Sequence, residues 1–244
     1  MKTRADQLLV SKGFAADVKA AQALIMAGEV LSGTLRIDKP GTMLAKDADL
    51  KLKAREHDFV SRGGIKLTHG LDHFKINPEG RTCLDVGSST GGFTEVLLRR
   101  GASKVYAVDV GNNQLDWKLR NDVRVTSLEQ TNAKDLNTSL IPHAPQLVVC
   151  DASFISLREV LPVPLSLAAP GATLVALIKP QYEVTRDKLD GGILRDEQAH
   201  QDVCVGISRW LSDEMKWNVR GTTISPIKGA EGNTEFLVAA DKAG

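Results

Sequence analysis

The sequence predicts an α/β fold, a mostly parallel sheet with helices on both faces and an antiparallel last strand, preceded by a small α+β module. Three observations predict it. From residue 80 onward, short apolar runs bounded by Gly or Asp alternate with longer amphipathic stretches, the rhythm of crossover units. Those runs are continuously apolar, as strands covered on both faces require. Before residue 60 the rhythm differs, with two helix-sized segments followed by short alternating runs between turn residues. A chain of 244 residues, 42% hydrophobic and 25% charged, is long enough for one ordinary domain with a small companion. Disorder, collagen and a coiled coil are disfavoured by the same composition.

Taken in order, Ala5, Leu8, Leu9 and Lys12 predict a helix stopped at Gly13, and Asp17 caps a second helix from Val18 to Ala27, ended by Gly28. Glu29-Val30-Leu31, Leu35-Arg36-Ile37 and Leu50-Lys51-Leu52, with Gly33 and Pro40-Gly41 between them, predict short twisted strands. Residues 1–58 make one module, of a size marginal for standing alone. Residues 59–63 make a linker and 64–244 the main domain. There Thr82 to Val86, Lys104 to Val108, a third strand ahead of Glu129, Gln146 to Cys150 and Ala172 to Ile178 are strands, and Glu235 to Ala240 is the last. Phe93 to Arg100, Gln114 to Arg120, Leu157 to Ala169 and Glu197 to Lys216 are helices. No internal repeat or low-complexity segment interrupts the pattern.

Lys and Arg number 31 against 30 Asp and Glu, a formal net charge of +1, so any nucleic-acid site is a local patch. The positive excess is confined to residues 1–60, which hold 10 Lys and Arg and 8 Asp and Glu. Arg4, Lys12, Lys19 and Arg36 in that segment, with Arg62 just beyond it, are the candidate nucleic-acid contacts. Neither a signal-peptide core nor a window of about 18 apolar residues is present, which predicts a cytoplasmic protein with no membrane partner. Cys83, Cys150 and Cys204 are odd in number and widely spaced, which predicts buried free thiols and no metal site.

The strongest local signal is Cys83-Leu84-Asp85-Val86-Gly87-Ser88-Ser89-Thr90-Gly91-Gly92-Phe93, a strand ending in an acidic residue and a glycine-rich turn before a helix. Such a turn lets a ligand approach the backbone. Ser89 stands where the second glycine of G-x-G-x-x-G belongs, and no G-x-x-x-x-G-K-[ST] is present, so dinucleotide and triphosphate readings weaken. Gly87-Ser88-Ser89-Thr90-Gly91 does satisfy the G-x-S-x-G of a serine-hydrolase elbow. It sits on the first long strand without an oxyanion loop before it, however, and the late His200 lies on an amphipathic helix where a solvated histidine is commoner. Asp109 decides between the readings. An acid at the end of the next strand, roughly 20 residues on, accepts the two hydroxyls of a ribose. With Asp85 facing a cationic amino acid moiety and no phosphate signature, S-adenosylmethionine fits better than NAD. Val110 follows Asp109, and Glu129 and Asn132 follow the third strand, where they face the adenine edge or simply shape a turn.

A second constellation is scattered along the chain. Lys66 precedes the glycine turn, Asp151 ends the fourth strand, Lys179 ends the fifth, and Glu235 opens the last. Carboxyl ends of parallel strands face the ligand crevice, so Asp151 and Lys179 overlook the same place. Taken singly, each is as readily a solvated charge.

Together the four resemble the Lys-Asp-Lys-Glu tetrad of ribose 2′-O-methyltransferases of the FtsJ-like group. The chain as a whole is similar to the TlyA family, known both as hemolysin A and as ribosomal RNA methyltransferases. Arg4-Ala5-Asp6-Gln7-Leu8-Leu9, Ile25-Met26-Ala27-Gly28-Glu29-Val30 and Lys39-Pro40-Gly41 resemble the alpha-L RNA-binding motif of a small-subunit ribosomal protein. Val60-Ser61-Arg62-Gly63-Gly64, Asp85 to Thr94, Ala107-Val108-Asp109-Val110-Gly111, Gln114-Leu115 and Trp117-Lys118-Leu119-Arg120 match family runs. Two departures stand out: Val18-Lys19-Ala20-Ala21-Gln22-Ala23 carries few cations, and Val30-Leu31-Ser32-Gly33 replaces the usual hairpin. Each missing phosphate contact makes the salt dependence of RNA binding shallower by roughly 0.7–0.9 of a log unit.

The resemblance implies methylation of ribosomal RNA at cytidine 2′-hydroxyls, with S-adenosylmethionine as cofactor, ribosomal RNA or subunits as partner, no metal, and a monomer as the default. Alignment of donor and acceptor supplies roughly 7–11 kcal/mol of such a transfer. Lys179 is the expected base, neutral at the moment of transfer although a free lysine titrates near about 10.4. Like charge on Lys66 and a dry pocket favour that neutral form. Asp151 orients Lys179, and Glu235 holds Lys66. Two rivals are a ribosome-assembly protein that binds RNA and keeps the cofactor pocket without turnover, and a membrane-lytic protein. The front helices lack the strongly basic amphipathic face that the second rival needs.

Overall fold

The computed structural model describes residues 2–15, 17–26, 28, 30–52, 58–229 and 232–244. They fall into two units, Met1–Asp58 and Phe59–Gly244. In the first, a strand the sequence did not announce, β1 (Lys2–Arg4), precedes helices α1 (Ala5–Ser11) and α2 (Val18–Met26). Gly13 stops the first helix in a left-handed conformation, and Asp17 caps the second by accepting from Ala20 N at 2.7 Å. Strands β2 (Val30–Ser32), β3 (Leu35–Arg36), β4 (Met43–Ala45) and β5 (Leu50–Leu52) follow. They form a three-stranded sheet in the order β3-β2-β5, while β4 pairs with β1. Predicted positions Ala27 and Glu29 lie outside the described residues. A small core of Ala5, Leu8, Leu9, Ala21, Ile25, Val30, Ile37 and Leu50 holds the unit together.

The second unit opens with a helix that was missed, α3 (Gly63–His73), followed by β6 (Thr82–Val86), α4 (Gly92–Arg99), β7 (Lys104–Val108), α5 (Trp117–Arg120), β8 (Val125–Leu128) and β9 (Leu147–Cys150). Then come α6 (Leu157–Val160), α7 (Pro162–Leu167), β10 (Thr173–Ile178), α8 (Glu197–Asp213), β11 (Trp217–Ile224) and β12 (Phe236–Lys242). The helix expected from Leu157 to Ala169 is two helices, because Pro162 cannot continue the first and starts the second. The helix expected from Gln114 begins only at Trp117, because Asp116 takes the extended φ −51°, ψ 138° of an N-cap and accepts from Lys118 N at 2.8 Å, while Gln114 N and Leu115 N donate to the Glu129 carboxylate.

The sheet order is β11-β12-β10-β9-β6-β7-β8, with the five strands from β10 to β8 parallel and β12 antiparallel to β10. This is the mostly parallel sheet with an antiparallel last strand that the sequence predicted, a Rossmann-like arrangement. Successive residues of each strand serve opposite faces: Leu84 and Val86 join the core under α6, α7 and α8, whereas Cys83 joins the core under α3 and α4. Asp85 therefore lies on the α3/α4 face. All three cysteines are free and buried, and burial pushes the thiols of Cys83 and Cys150 up to about 12.

One boundary differs from expectation. The stretch read as a linker is folded into the larger unit: Phe59 and Val60 pack on the α3/α4 core, and Val60 N donates to Glu95 Oε2 at 2.6 Å.

Candidate functional site

Strand register brings the site together. Asp151 follows Cys150, which pairs with Val86 on one side and with Ala176 on the other. Lys179 follows Ile178, whose antiparallel partner is Phe236, so Glu235 ends up beside Lys179 at the same edge of the sheet. Because β12 runs backward, its first residues reach the carboxyl ends of the parallel strands. Helix α3 crosses this end of the sheet, and a Cβ on Gly70 would touch Leu237 and Val175. One turn earlier, Lys66 reaches Glu235.

Two ion pairs result. Lys66 Nζ lies 2.5 Å from Glu235 Oε2, with both side chains buried. Lys179 Nζ lies 2.7 Å from Asp151 Oδ1 and also donates to Asp151 O and to Ser153 Oγ. Lys179 is buried, while Asp151 keeps about a fifth of its side chain open, at 21%. The N-terminus of α3 adjoins this pair, since a Cβ on Gly63 would sit 3.4 Å from Asp151 Oδ2.

The glycine turn lies one strand over from Asp151. Gly87 at φ +80° and Gly91 at φ +101° take conformations that side chains rarely adopt. Gly87 also abuts Ala152, where a Cβ would meet the neighbouring Cα at 2.8 Å. At Gly91 the space is filled by Leu115 and Leu119, which gives those two positions of the sequence motif a packing role. Four of the turn's donors are spent: Gly87 N and Ser88 N bond to Val108 O, Ser89 N to Asp109 Oδ2, and Gly91 N to Ser88 O. A phosphate cradle needs such N–H groups free. What the turn leaves open instead is polar side-chain capacity. Asp85 Oδ1 and Ser88 Oγ are buried and have no hydrogen-bond partner among the described residues. Asp85 accepts from Thr94 Oγ1 at 2.6 Å through its other oxygen, and burial pushes its carboxyl up to about 7.

Asp109 ends β7 and is half-buried, accepting from Ser89 N at 2.8 Å and from Gly111 N at 2.7 Å. A carboxylate offers about four lone-pair sites, so two bonds leave room for two more. Val110 beside it is 71% exposed. This donor set fits S-adenosylmethionine: acceptors for an ammonium at Asp85 and Ser88, acceptors for ribose hydroxyls at Asp109, and an apolar side chain for a flat base.

Other predicted residues have local roles. Glu129 accepts from Gln114 N and Leu115 N and pairs with Arg120 at 2.6 Å. Burial opposes its charge, but those bonds hold its carboxyl below the usual range. Asn132 is exposed and caps a short turn by accepting from Lys134 N. Ser89 and Thr90 are exposed, Gly92 is buried, and Phe93 is buried in the core, where its ring supports α4 and not a ligand. His200 is buried too, not solvated, with Nε2 3.0 Å from Leu194 O, so its ring is tied to a backbone carbonyl and not to an elbow serine.

Of the predicted RNA contacts, Arg4 pairs with buried Asp6 at 2.6 Å, and this hydrogen-bonded partner holds the Asp6 carboxyl down at about 2. Lys12 donates to Ala48 O and Arg36 pairs with Asp38. Lys19 and Arg62 are exposed. Sequence reasoning gave no role to Thr94, although it closes the matched run from Asp85, and missed Ser153 and Glu183, ordinary residues that carry no motif of their own.

Residues 59–242 match the family model described as FtsJ-like methyltransferase. The chain belongs to the FtsJ-like methyltransferase family. Over 239 residues it is 43% identical to the 16S/23S rRNA (cytidine-2′-O)-methyltransferase TlyA of Mycobacterium tuberculosis, covering 97% of this chain and 89% of that one. It is 41% identical over 237 residues to Hemolysin A of Brachyspira hyodysenteriae, covering 96% and 98%. A solved structure from Streptococcus thermophilus that carries the name hemolysin is 40% identical and superposes with a TM-score of 0.76, covering 99% of this chain and 89% of that one. The TlyA resemblance and the methyltransferase class read from the sequence are thus borne out. Among the described residues no helix is long and apolar enough to cross a membrane.

Proposed function

We propose that this chain methylates the 2′-hydroxyl of a cytidine in ribosomal RNA, in the cytoplasm, with residues 1–58 as an RNA-binding module and the rest as the catalytic domain. The observation that carries the reading is the pair of ion pairs, Lys179 with Asp151 and Lys66 with Glu235, at the sheet edge next to the Gly87–Gly91 turn. S-adenosylmethionine, when bound, supplies the sulfonium methyl group.

The protein's own work is to bind, to orient and to move one proton. Asp109 takes the ribose hydroxyls on its spare lone pairs, Val110 covers a face of the base, and Asp85 with Ser88 accepts the amino group. A ribose hydroxyl is a poor acid, so the transfer needs an acceptor for its proton. Lys179 in its neutral form is that acceptor, and Asp151 fixes the direction of its amine. Glu235 neutralises Lys66, which lets a second amine stand at the same buried edge without unpaired charge.

Transfer of tritiated methyl groups from labelled cofactor to ribosomal subunits tests the proposal. Lys179→Ala is expected to abolish transfer while calorimetry finds cofactor affinity unchanged, and Lys179→Arg is expected to be equally inactive because a guanidinium does not deprotonate. Full turnover in either variant overturns the assignment.

A further inference from the structure

The Lys179 ammonium donates to Asp151 O at 3.2 Å and to Ser153 Oγ at 2.7 Å, and it stands in an ion pair 2.7 Å from Asp151 Oδ1. We propose that Ser153 is a positioning residue for the methyl transfer, the reversible third partner that aims the lone pair of Lys179 at the incoming 2′-hydroxyl. The inference rests on Lys179 being the proton acceptor.

The argument is one of donor and acceptor types. When the amine loses a proton it keeps two N–H groups and gains a lone pair. A carboxylate and a carbonyl only accept, so neither Asp151 oxygen engages the lone pair. A hydroxyl both accepts and donates. Ser153 alone among the three partners can turn its proton toward the neutral amine, so the lone pair faces the direction Ser153 occupies. That direction is the open one, since Ser153 is exposed while Lys179 is buried. As the hydroxyl of the substrate arrives, its O–H bond breaks, an N–H bond forms on Lys179, the O–CH3 bond forms and the S–CH3 bond breaks. The positive charge leaves the sulfur and ends on the ammonium, which again donates to Ser153.

The backbone around Ser153 is fixed from both sides, as such a role demands. Asp151 N donates to Val86 O, and Gly87 packs directly on Ala152. Phe154 takes φ +65°, a strained value for an aromatic residue that persists only where the surroundings enforce it. Just beyond it, Glu183 holds the loop by accepting from Ser156 Oγ at 2.6 Å and from Leu157 N at 2.7 Å.

Two measurements on Ser153→Ala and Ser153→Thr decide the matter. In the cofactor-free protein, the rate at which acetic anhydride acylates Lys179, read by mass spectrometry at fixed pH, is expected to rise several-fold in Ser153→Ala and to return toward the parent value in Ser153→Thr. In the methylation assay, Ser153→Ala is expected to lower kcat about tenfold or more and to displace the limb of the pH–rate profile that reports the base. KM for ribosomal subunits and cofactor affinity stay unchanged, and Ser153→Thr restores the rate. Unchanged acylation, or an unchanged kcat and pH profile in Ser153→Ala while Lys179→Ala is inactive, overturns the role of Ser153 alone. Turnover by Lys179→Ala overturns the reading beneath it.

Discussion

Lys66 and Glu235 stand 169 residues apart in the chain and 2.5 Å apart in space, on a helix and at the mouth of a strand, both nearly closed to solvent. Taking one partner away leaves the other charged and buried, which costs about 3–5 kcal/mol, whereas replacing both by apolar residues of similar size is close to neutral. Lys66→Met and Glu235→Leu are each expected to lower the free energy of unfolding, measured by urea titration, by that much, and the double variant to recover most of it. Single variants within about 1 kcal/mol of the parent would show that the pair is not buried.

Asp85 gives a pH dependence whose sign follows from its burial. Its folded value of about 7 lies above the ordinary aspartate value of 3.8. For such an acid the native state holds the proton more tightly than the unfolded state, so this contribution to stability is complete below about pH 4 and is lost as pH rises through 7. The cofactor-free protein is expected to lose melting temperature from pH 5 to pH 8 relative to Asp85→Asn, which keeps a neutral side chain throughout. Parallel melting curves for the two proteins across that range contradict the assignment.

Asp109 ties two loops together before any ligand arrives, through Ser89 N and Gly111 N. Asp109→Ala is expected to weaken cofactor binding more than tenfold and also to destabilise the free protein by about 1–3 kcal/mol, because two N–H groups lose their partner. Asp109→Asn, which keeps one acceptor oxygen, is expected to fall between. Calorimetric affinity equal to that of the parent in Asp109→Ala excludes the ribose role.

The two turn glycines predict different outcomes. A side chain on Gly87 meets the backbone of Ala152, which cannot move without displacing Asp151 and Ser153, whereas one on Gly91 meets the flexible ends of Leu115 and Leu119. Both pay for left-handed backbone, about 1–3 kcal/mol. Gly87→Ala is expected to lose kcat far more than Gly91→Ala at comparable loss of stability, measured by turnover and thermal melting side by side.

Much of the fold was legible because burial on both faces writes itself as unbroken apolar runs. Strands β6 and β7 were bounded at Thr82–Val86 and Lys104–Val108 from that signal alone, and the charged residues Asp151 and Lys179 stood out as interruptions at the ends of such runs. Strand β11 escaped because it is an edge: Asn218, Arg220 and Thr222 face solvent, and the register slips between Val219 and Gly221. Helix α3 escaped because two glycines open it and no acidic residue marks its first turn. In the site, Lys66 and Glu235 were read from family resemblance, since nothing local distinguishes a paired lysine from a solvated one. Ser153 and Glu183 act only through contacts made across loops, which no spacing rule encodes.

The place of β12 has a further consequence. It lies between β10 and β11, and among the described residues β11 pairs with β12 alone, so the two form an antiparallel pair on the flank of the sheet, with Glu235 just ahead of β12. Until that pair docks, β10 presents a bare row of backbone donors and acceptors, the kind of margin on which chains aggregate. Docking seals that margin and delivers the carboxylate to Lys66 in the same motion. A chain with that flank open therefore also lacks the Glu235–Lys66 pair, and recovery of methyl transfer during refolding should keep pace with the disappearance of aggregation.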